Sequence, residues 1–347
     1  MRYGTIPKGL KERLASALGV VPYPMLDVLI APVQARALIA AERASVFEAL
    51  SESAAGTEAL AKKLSLDPSC LDLVLRLLVS MGYLRKQRGL WALSRLGRKH
   101  FGGDAPRPLG EFVAFGAPQW DWISQLDEVL RTGKGVDIHR SLGPSEWELY
   151  QRAMAEGARE FATFVARELP VAAGARLCLD VAGSHGLVGA AVCRAHPGLR
   201  SVVLERAEAI PEARRLAAER ELDHVVSFRE CDLLKDEYGE GADVLVLANI
   251  LHHFTPELNR GILERAMRAL KPGGSIGIFD IEAPGPNAPP EAAGDGAALF
   301  FRITSNSACF SGEDYVRWLN QVGFERPQTV RSIRLPSRLL VTAAAPR

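Results

Sequence analysis

Three carboxylates and a pair of histidines carry the chemistry open to this sequence. Asp180 lies at the end of the strand-like run RLCLDV (176–181), Glu205 closes RSVVLE (200–205), and Cys231–Asp232–Leu233 follows VVSF (225–228). A carboxylate at the end of a second parallel strand can accept from both hydroxyls of a ribose. One after the third can accept from a purine amino group, with Leu233 covering the ring. Between the first strand and the next helix lies AGSHG (182–186), small residues that admit a ligand to the backbone and to free helix N–H groups. Any one of these acids reads as well as a loop or cap carboxylate; three at successive strand ends point to a nucleotide-like ligand. His252 and His253, in ANILHHFTPE (248–257), follow a fourth strand. Neutral imidazole titrates near 6.5 and is suited to take a proton from a hydroxyl. Two adjacent histidines without further ligands in the pattern make no metal site, so no metal is expected.

The elements that must position these residues alternate. Strand-like runs at 176–181, 200–205, 225–228, 243–248 and 275–280 are separated by helical patterns at 186–196, 211–221, 256–270 and 312–322. Pro197, Pro211, Pro256 and Pro272 mark their ends or first turns. Apolar strands alternating with helices predict an α/β domain, a parallel sheet covered on both faces. The runs Thr329–Leu335 and Arg338–Ala343 predict an antiparallel hairpin at its edge.

The N-terminal part is different. A helix through Leu26–Leu38, a short helix and turn at 56–67, a helix at 68–84 and a β-ribbon at Tyr83–Leu93 give a winged-helix order. Its candidate recognition helix offers only Arg76 as a base among Leu71, Leu73, Val74, Leu75, Leu77, Leu78 and Val79. That argues against nucleic acid and for burial against a partner. Residues 105–170 read as helical and hold Phe112, Phe115, Trp120, Trp122, Trp147 and Tyr150, either packing aromatics or the wall of an apolar pocket. The resulting division is 1–105, a helical winged-helix domain; 106–172, a helical linker contributing to a pocket; and 173–347, the α/β domain.

Bulk properties exclude several classes. In 347 residues, 42 basic and 41 acidic side chains leave a net charge of +1, with no polybasic face for nucleic acid or membrane. No apolar run approaches the roughly 20 residues of a membrane span, and residues 1–21 lack a signal-peptide core. Five cysteines without CxxC spacing fit a reducing cytoplasm.

On these motifs the sequence resembles the class I S-adenosylmethionine-dependent methyltransferases with a Rossmann-like domain. It is most similar to the small-molecule O-methyltransferases that include plant caffeic-acid and acetylserotonin-type enzymes and bacterial relatives. DVAGSHG (180–186) matches the family's DVGGGxG, with Ala182 and Ser184 at glycine positions, a replacement that a negative φ accommodates. The resemblance implies S-adenosyl-L-methionine as cofactor, held by Asp180, Ala182, Gly183, Gly186, Glu205, Asp232, Leu233 and Asn249, with His185 also beside it. It implies His252 as general base, His253 where the family has Asp, and Asp280 orienting the base with Glu282 close behind. A second orienting acid falls at Cys309. Met154, Trp120 and His253 are implied to meet a small-molecule, aromatic or polyketide-like substrate, and the N-terminal domain to form a homodimer. Two rivals stay open: a non-methylating enzyme of the same fold (hydroxylase-, decarboxylase- or pericyclase-like), and a cofactor-sensing regulator. The Pro- and Gly-rich stretch 283–296 reads either as a mobile cover or as a solvated linker.

Overall fold

The computed structural model describes residue 7 and residues 9–285, 288–305 and 307–347. The chain forms two compact units, residues 2–119 and Trp120–Arg347. The helices from Trp120 onward therefore belong with the α/β unit rather than forming a separate linker.

In the first unit, α1 (Leu10–Ala17), α2 (Tyr23–Arg43), α3 (Val46–Glu52), α4 (Thr57–Leu64) and α5 (Pro68–Ser80) precede a ribbon of β1 (Leu84–Gln87) and β2 (Leu90–Leu93). The strands pair antiparallel around Arg88–Gly89, followed by α6 (Arg95–His100) and α7 (Gly110–Ala114), while α8 (Gly116–Ile123) crosses the boundary. Asp67 caps α5 by accepting from the Cys70 N–H at 2.7 Å, with Pro68 in its first turn. The core gathers Phe47 stacked on Phe101 at 4.2 Å, Leu75, Leu78 and Trp91. Trp91 donates its indole N–H to Thr57 Oγ1 at 2.9 Å. Only one face of α5 is buried, and Leu73 stays exposed.

α2 is an apolar helix of this unit. It runs 21 residues with a mean hydropathy of 1.4 over its most apolar window, long and apolar enough to cross a membrane by length and composition. Asp27 and Arg36 interrupt the run in sequence and lower that average without removing its apolar character. Pro32 also lies inside the helix, which packs against α5 and α7 within this unit. Met25, Val28, Leu29 and Val33 of α2, Leu10 and Leu14 of α1, and Leu18 just after it remain exposed.

The second unit continues with α9 (Leu126–Thr132), α10 (Ile138–Ser141) and the long α11 (Pro144–Glu168). Then come β3 (Leu177–Val181), α12 (Leu187–Ala195), β4 (Arg200–Glu205), α13 (Ile210–Glu219), β5 (Val226–Glu230), β6 (Ala242–Ala248), a single 3-10 turn at Leu251–His253, α14 (Pro256–Ala269) and β7 (Leu270–Ile281). α15 (Ala292–Ser305), α16 (Gly312–Val322), β8 (Glu325–Ser332) and β9 (Leu335–Ala344) complete it. The sheet order is β5-β4-β3-β6-β7-β9-β8. β3 to β7 are parallel, whereas β9 runs antiparallel between β7 and β8. Strand order reverses between β3 and β6, the place where open α/β sheets bind ligands beyond their carboxyl ends. Val244, Leu245, Val246 and Leu247 of β6 are all fully buried because both sheet faces are covered. Each such side chain stabilises the fold by roughly 1.5–3 kcal/mol.

α15 corrects the reading of 283–296. Residues 292–296 begin a helix that continues to Ser305, and residues 286 and 287 lie outside the described residues. Gly294 and Gly296 disguise a segment otherwise rich in Ala, Leu and Phe. Gly294 is packed so closely that a Cβ there would lie 2.8 Å from the Glu282 carbonyl oxygen.

Candidate active site

A cavity of about 680 Å³ opens at the strand-order reversal, a size suited to a small-molecule site. Its loop end follows β3. Asp180 is fully buried there; its Oδ2 accepts from the Gly189 N–H at 2.9 Å, and its Oδ1 has no hydrogen-bond partner. Desolvation lifts this carboxyl to about 6. Gly183 is sterically required, since a Cβ would sit 2.4 Å from the Asp180 carboxyl carbon. Ala182 and Ser184 do not take the negative φ expected of them. Their φ values are +53° and +50°, left-handed as glycine would be, at a cost of about 1–2 kcal/mol each. The loop must hold this shape because Ala182 N–H donates to Leu204 O at 2.7 Å and Ser184 N–H to Glu205 Oε2 at 3.0 Å.

Glu205 ends β4 with its other oxygen accepting from the Arg206 N–H at 2.9 Å. Burial raises its pKa, against the pull of these two donors. Each carboxylate oxygen keeps a second lone pair for a ligand hydroxyl. Asp232 sits on the wetter rim, paired with Lys235 at 2.9 Å and lowered first by that contact.

One face of α11 forms a wall. Trp147, Tyr150, Gln151 and Met154, spaced at helical intervals, all line the cavity. Gln151 Oε1 accepts from the Ser184 hydroxyl. His185 Nδ1 accepts from the Leu187 N–H at 3.1 Å, and its ring also hydrogen-bonds the Met154 backbone. Burial drops His185 to about 3, so it is neutral and ties the loop to α11.

The opposite end is a chain of rings. His252 is buried, 2% exposed, with Nδ1 against Asp280 Oδ1 and Nε2 lying 3.1 Å from His253 Nε2. Asp280 Oδ1 also accepts from the Ile281 N–H at 2.8 Å, and Oδ2 from the Tyr315 hydroxyl at 3.0 Å. Phe301 of α15 covers His252 at 3.8 Å between ring centroids. His253 Nδ1 lies 2.9 Å from Ser305 Oγ. His139 packs edge-on to His253 at 4.7 Å, with its Nε2 3.2 Å from the Tyr150 hydroxyl. Burial lowers His139 to about 4, and burial, His252 and His139 lower His253 strongly.

Among the residues expected in the site, Asp180, Ala182, Gly183, Glu205, Asp232, Leu233, Asn249, Met154 and His253 line the cavity. Gly186 starts α12 with φ +71°, its α-carbon facing Val226 and Val203. His252 and Asp280 stand behind His253 and are not lining residues. Trp120 is not one either, since the aromatic wall comes from α11 and α8 supplies none of it. Cys309 is a buried thiol that desolvation raises to about 12, and Tyr315 makes the second side-chain contact on Asp280 instead. Glu282 turns away to an ion pair with Arg331 at 2.5 Å. Sequence reasoning missed His139, Gln151, Ser305, Tyr315 and Arg338, whose buried guanidinium donates to Asn249 Oδ1 at 2.8 Å. Only α11's helical spacing offered a signal for any of them. Among the described residues, no three His, Cys, Asp or Glu groups converge as a metal site.

The residues present fit a nucleoside cofactor carrying a cationic centre. The orphan Asp180 Oδ1 offers an acceptor, the Gly183 backbone leaves room beside it, and Glu205 presents a fixed acceptor pair. An O-methyltransferase domain model matches residues 131–325, and an O-methyltransferase dimerisation domain matches residues 27–102. The chain is 30% identical to mitomycin biosynthesis 6-O-methyltransferase of Streptomyces lavendulae, over 73% of this chain and 76% of that one. It is 25% identical to 3-hydroxy-5-methyl-1-naphthoate 3-O-methyltransferase of Streptomyces sahachiroi, over 85% and 87%. Human N-acetylserotonin methyltransferase, solved in complex with SAM, superposes with a TM-score of 0.82 at 18% identity, covering 99% of this chain and 100% of that one.

Proposed function

The chain belongs to the S-adenosylmethionine-dependent small-molecule O-methyltransferase family, and from that premise we propose that it methylates a phenolic hydroxyl of an aromatic or polyketide-type compound, with His252 as general base. The substrate class is suggested by the mitomycin and naphthoate relatives and by the aromatic face of α11.

S-adenosylmethionine, when bound, supplies an electrophilic methyl and carries its own leaving group. The chain's residues have the remaining tasks. Asp180, Glu205, Asp232, Leu233 and Asn249 would hold the cofactor along the strand ends. Trp147, Tyr150 and Met154 would exclude water and orient an aromatic acceptor, and orientation of reacting groups is a large share of such a barrier. His252 would receive the acceptor proton, and Asp280 fixes its tautomer by taking the Nδ1–H. A phenol ionises near 10, so removing its proton at neutral pH needs such a base. The buried His252–Asp280 pair, standing behind His253 at the cavity beyond the strand ends, is the observation that carries this reading.

The exposed apolar residues of α1 and α2, within or next to the matched dimerisation domain, fit self-association into a homodimer. Five free thiols fit a reducing, cytoplasmic setting. Incubation with methyl-tritiated cofactor and a panel of phenols, hydroxynaphthoates and hydroxyquinones tests the function. Label on an acceptor oxygen is the expected result; label on nitrogen or carbon alone, or none on any acceptor, contradicts it.

A further inference from the structure

The hydrogen bonds around the histidine pair admit one proton arrangement with both rings neutral. Asp280 accepts from the Ile281 N–H on Oδ1 and the Tyr315 hydroxyl on Oδ2, so it is an acceptor toward His252 as well. His252 therefore carries its proton on Nδ1, and its Nε2 is an acceptor. The ring 3.1 Å away must then donate, placing the His253 proton on Nε2. His253 Nδ1 becomes the acceptor for the Ser305 hydroxyl at 2.9 Å. The lone pair that a base at His252 needs is thus occupied by His253. His253 and Ser305 line the cavity, whereas His252 does not.

Resting on the reading of His252 as base, we infer that His253 is a further catalytic residue, taking the acceptor's proton on Nδ1 while passing its own Nε2 proton to His252. The acceptor O–H bond breaks with its electron pair left on oxygen, and an N–H bond forms at His253 Nδ1. The His253 Nε2–H bond breaks as the His252 Nε2–H bond forms. Two protons shift, for a net transfer of one from the acceptor to the pair; His253 ends neutral in the opposite tautomer, and the positive charge rests on His252 against Asp280. Ser305 can release Nδ1 because its hydroxyl has a second acceptor, the Phe301 carbonyl at 3.2 Å. Burial and the neighbouring His252 and His139 disfavour charge on His253, which suits a carrier rather than a terminus. His139 and Phe301 pack against the pair, with Asp137 and Arg206 acting electrostatically on His139 from beyond it, and among the described residues Asp280 is the carboxylate hydrogen-bonded to the pair.

Long-range proton–nitrogen correlation spectra of the ¹⁵N-histidine-labelled, ligand-free protein test this without any substrate. His252→Asn and His253→Asn assign the signals. The expected result is His253 protonated at Nε2 and His252 at Nδ1; His253 protonated at Nδ1 overturns the relay. With a methylated acceptor in hand, His253→Ala is expected to lose turnover about 10²–10⁴-fold, as His252→Ala does. The double variant should lose little more, and S-adenosylhomocysteine binding should stay within a few-fold. Full turnover in His253→Ala with loss in His252→Ala overturns the relay and leaves His252 as base; full turnover in His252→Ala removes the reading beneath it.

Discussion

The two ends of the cavity are built on opposite terms. At the loop end the protein leaves chemistry open: Asp180 Oδ1 lacks a partner, and Ala182 and Ser184 are held in a backbone conformation that disfavours side chains. At the histidine end the polar atoms are engaged, from Tyr315 through Asp280, His252 and His253 to Ser305. An unsatisfied, strained end is one that a ligand can complete. A closed chain instead fixes tautomers, and it moves a proton only by shifting every bond along it. Binding and transfer are therefore separable properties of one pocket.

Substitutions that strike one end should leave the other standing. The largest effect belongs to His252→Ala, expected to cut the methyl-transfer rate about 10²–10⁴-fold while cofactor affinity, read by calorimetry, stays near wild type. Asp180 comes next, through stability. Its folded pKa of about 6 lies above the ordinary 3.8, so its favourable contribution is complete below 3.8 and lost as pH rises through 6. In ligand-free protein, Asp180→Asn should gain on wild type by up to about 3 kcal/mol between pH 4 and 7, measured by chemical denaturation. A constant difference across that range would mean Asp180 is not penalised by burial. Glu205→Ala removes a fixed acceptor pair and should weaken S-adenosylhomocysteine binding about 10–100-fold, with single-turnover chemistry at saturation largely kept. The smallest effect is Ala182→Gly, which relieves a left-handed residue and should raise stability by about 1 kcal/mol; a loss would show that the loop is not strained at that position.

The same contrast between the two ends governs what was legible in the sequence. The loop end is made of strand ends and backbone, and strand ends follow from the alternation of apolar runs, so Asp180, Glu205 and Asp232 could be placed from the residue pattern alone. The φ values of Ala182 and Ser184 could not, because they depend on hydrogen bonds to Leu204 and Glu205, residues brought in by the neighbouring strand. The histidine end depends on segments far apart in the chain: His139, Asp280, Ser305 and Tyr315 meet His252 and His253 only after folding. Ser305 was hidden twice over, since two glycines near the start of α15 made that helix read as a loop. Asp280 was found because the family resemblance places an orienting acid at that strand end, and Tyr315 was not because an aromatic on a helix face looks like core.

The most direct test of the account is single-turnover transfer from pre-bound, methyl-labelled cofactor to a phenolic acceptor, comparing wild type with His252→Ala at equal cofactor occupancy. The account predicts labelled product in wild type and a rate at least about 100-fold lower in the variant. Equal rates at equal occupancy would contradict it.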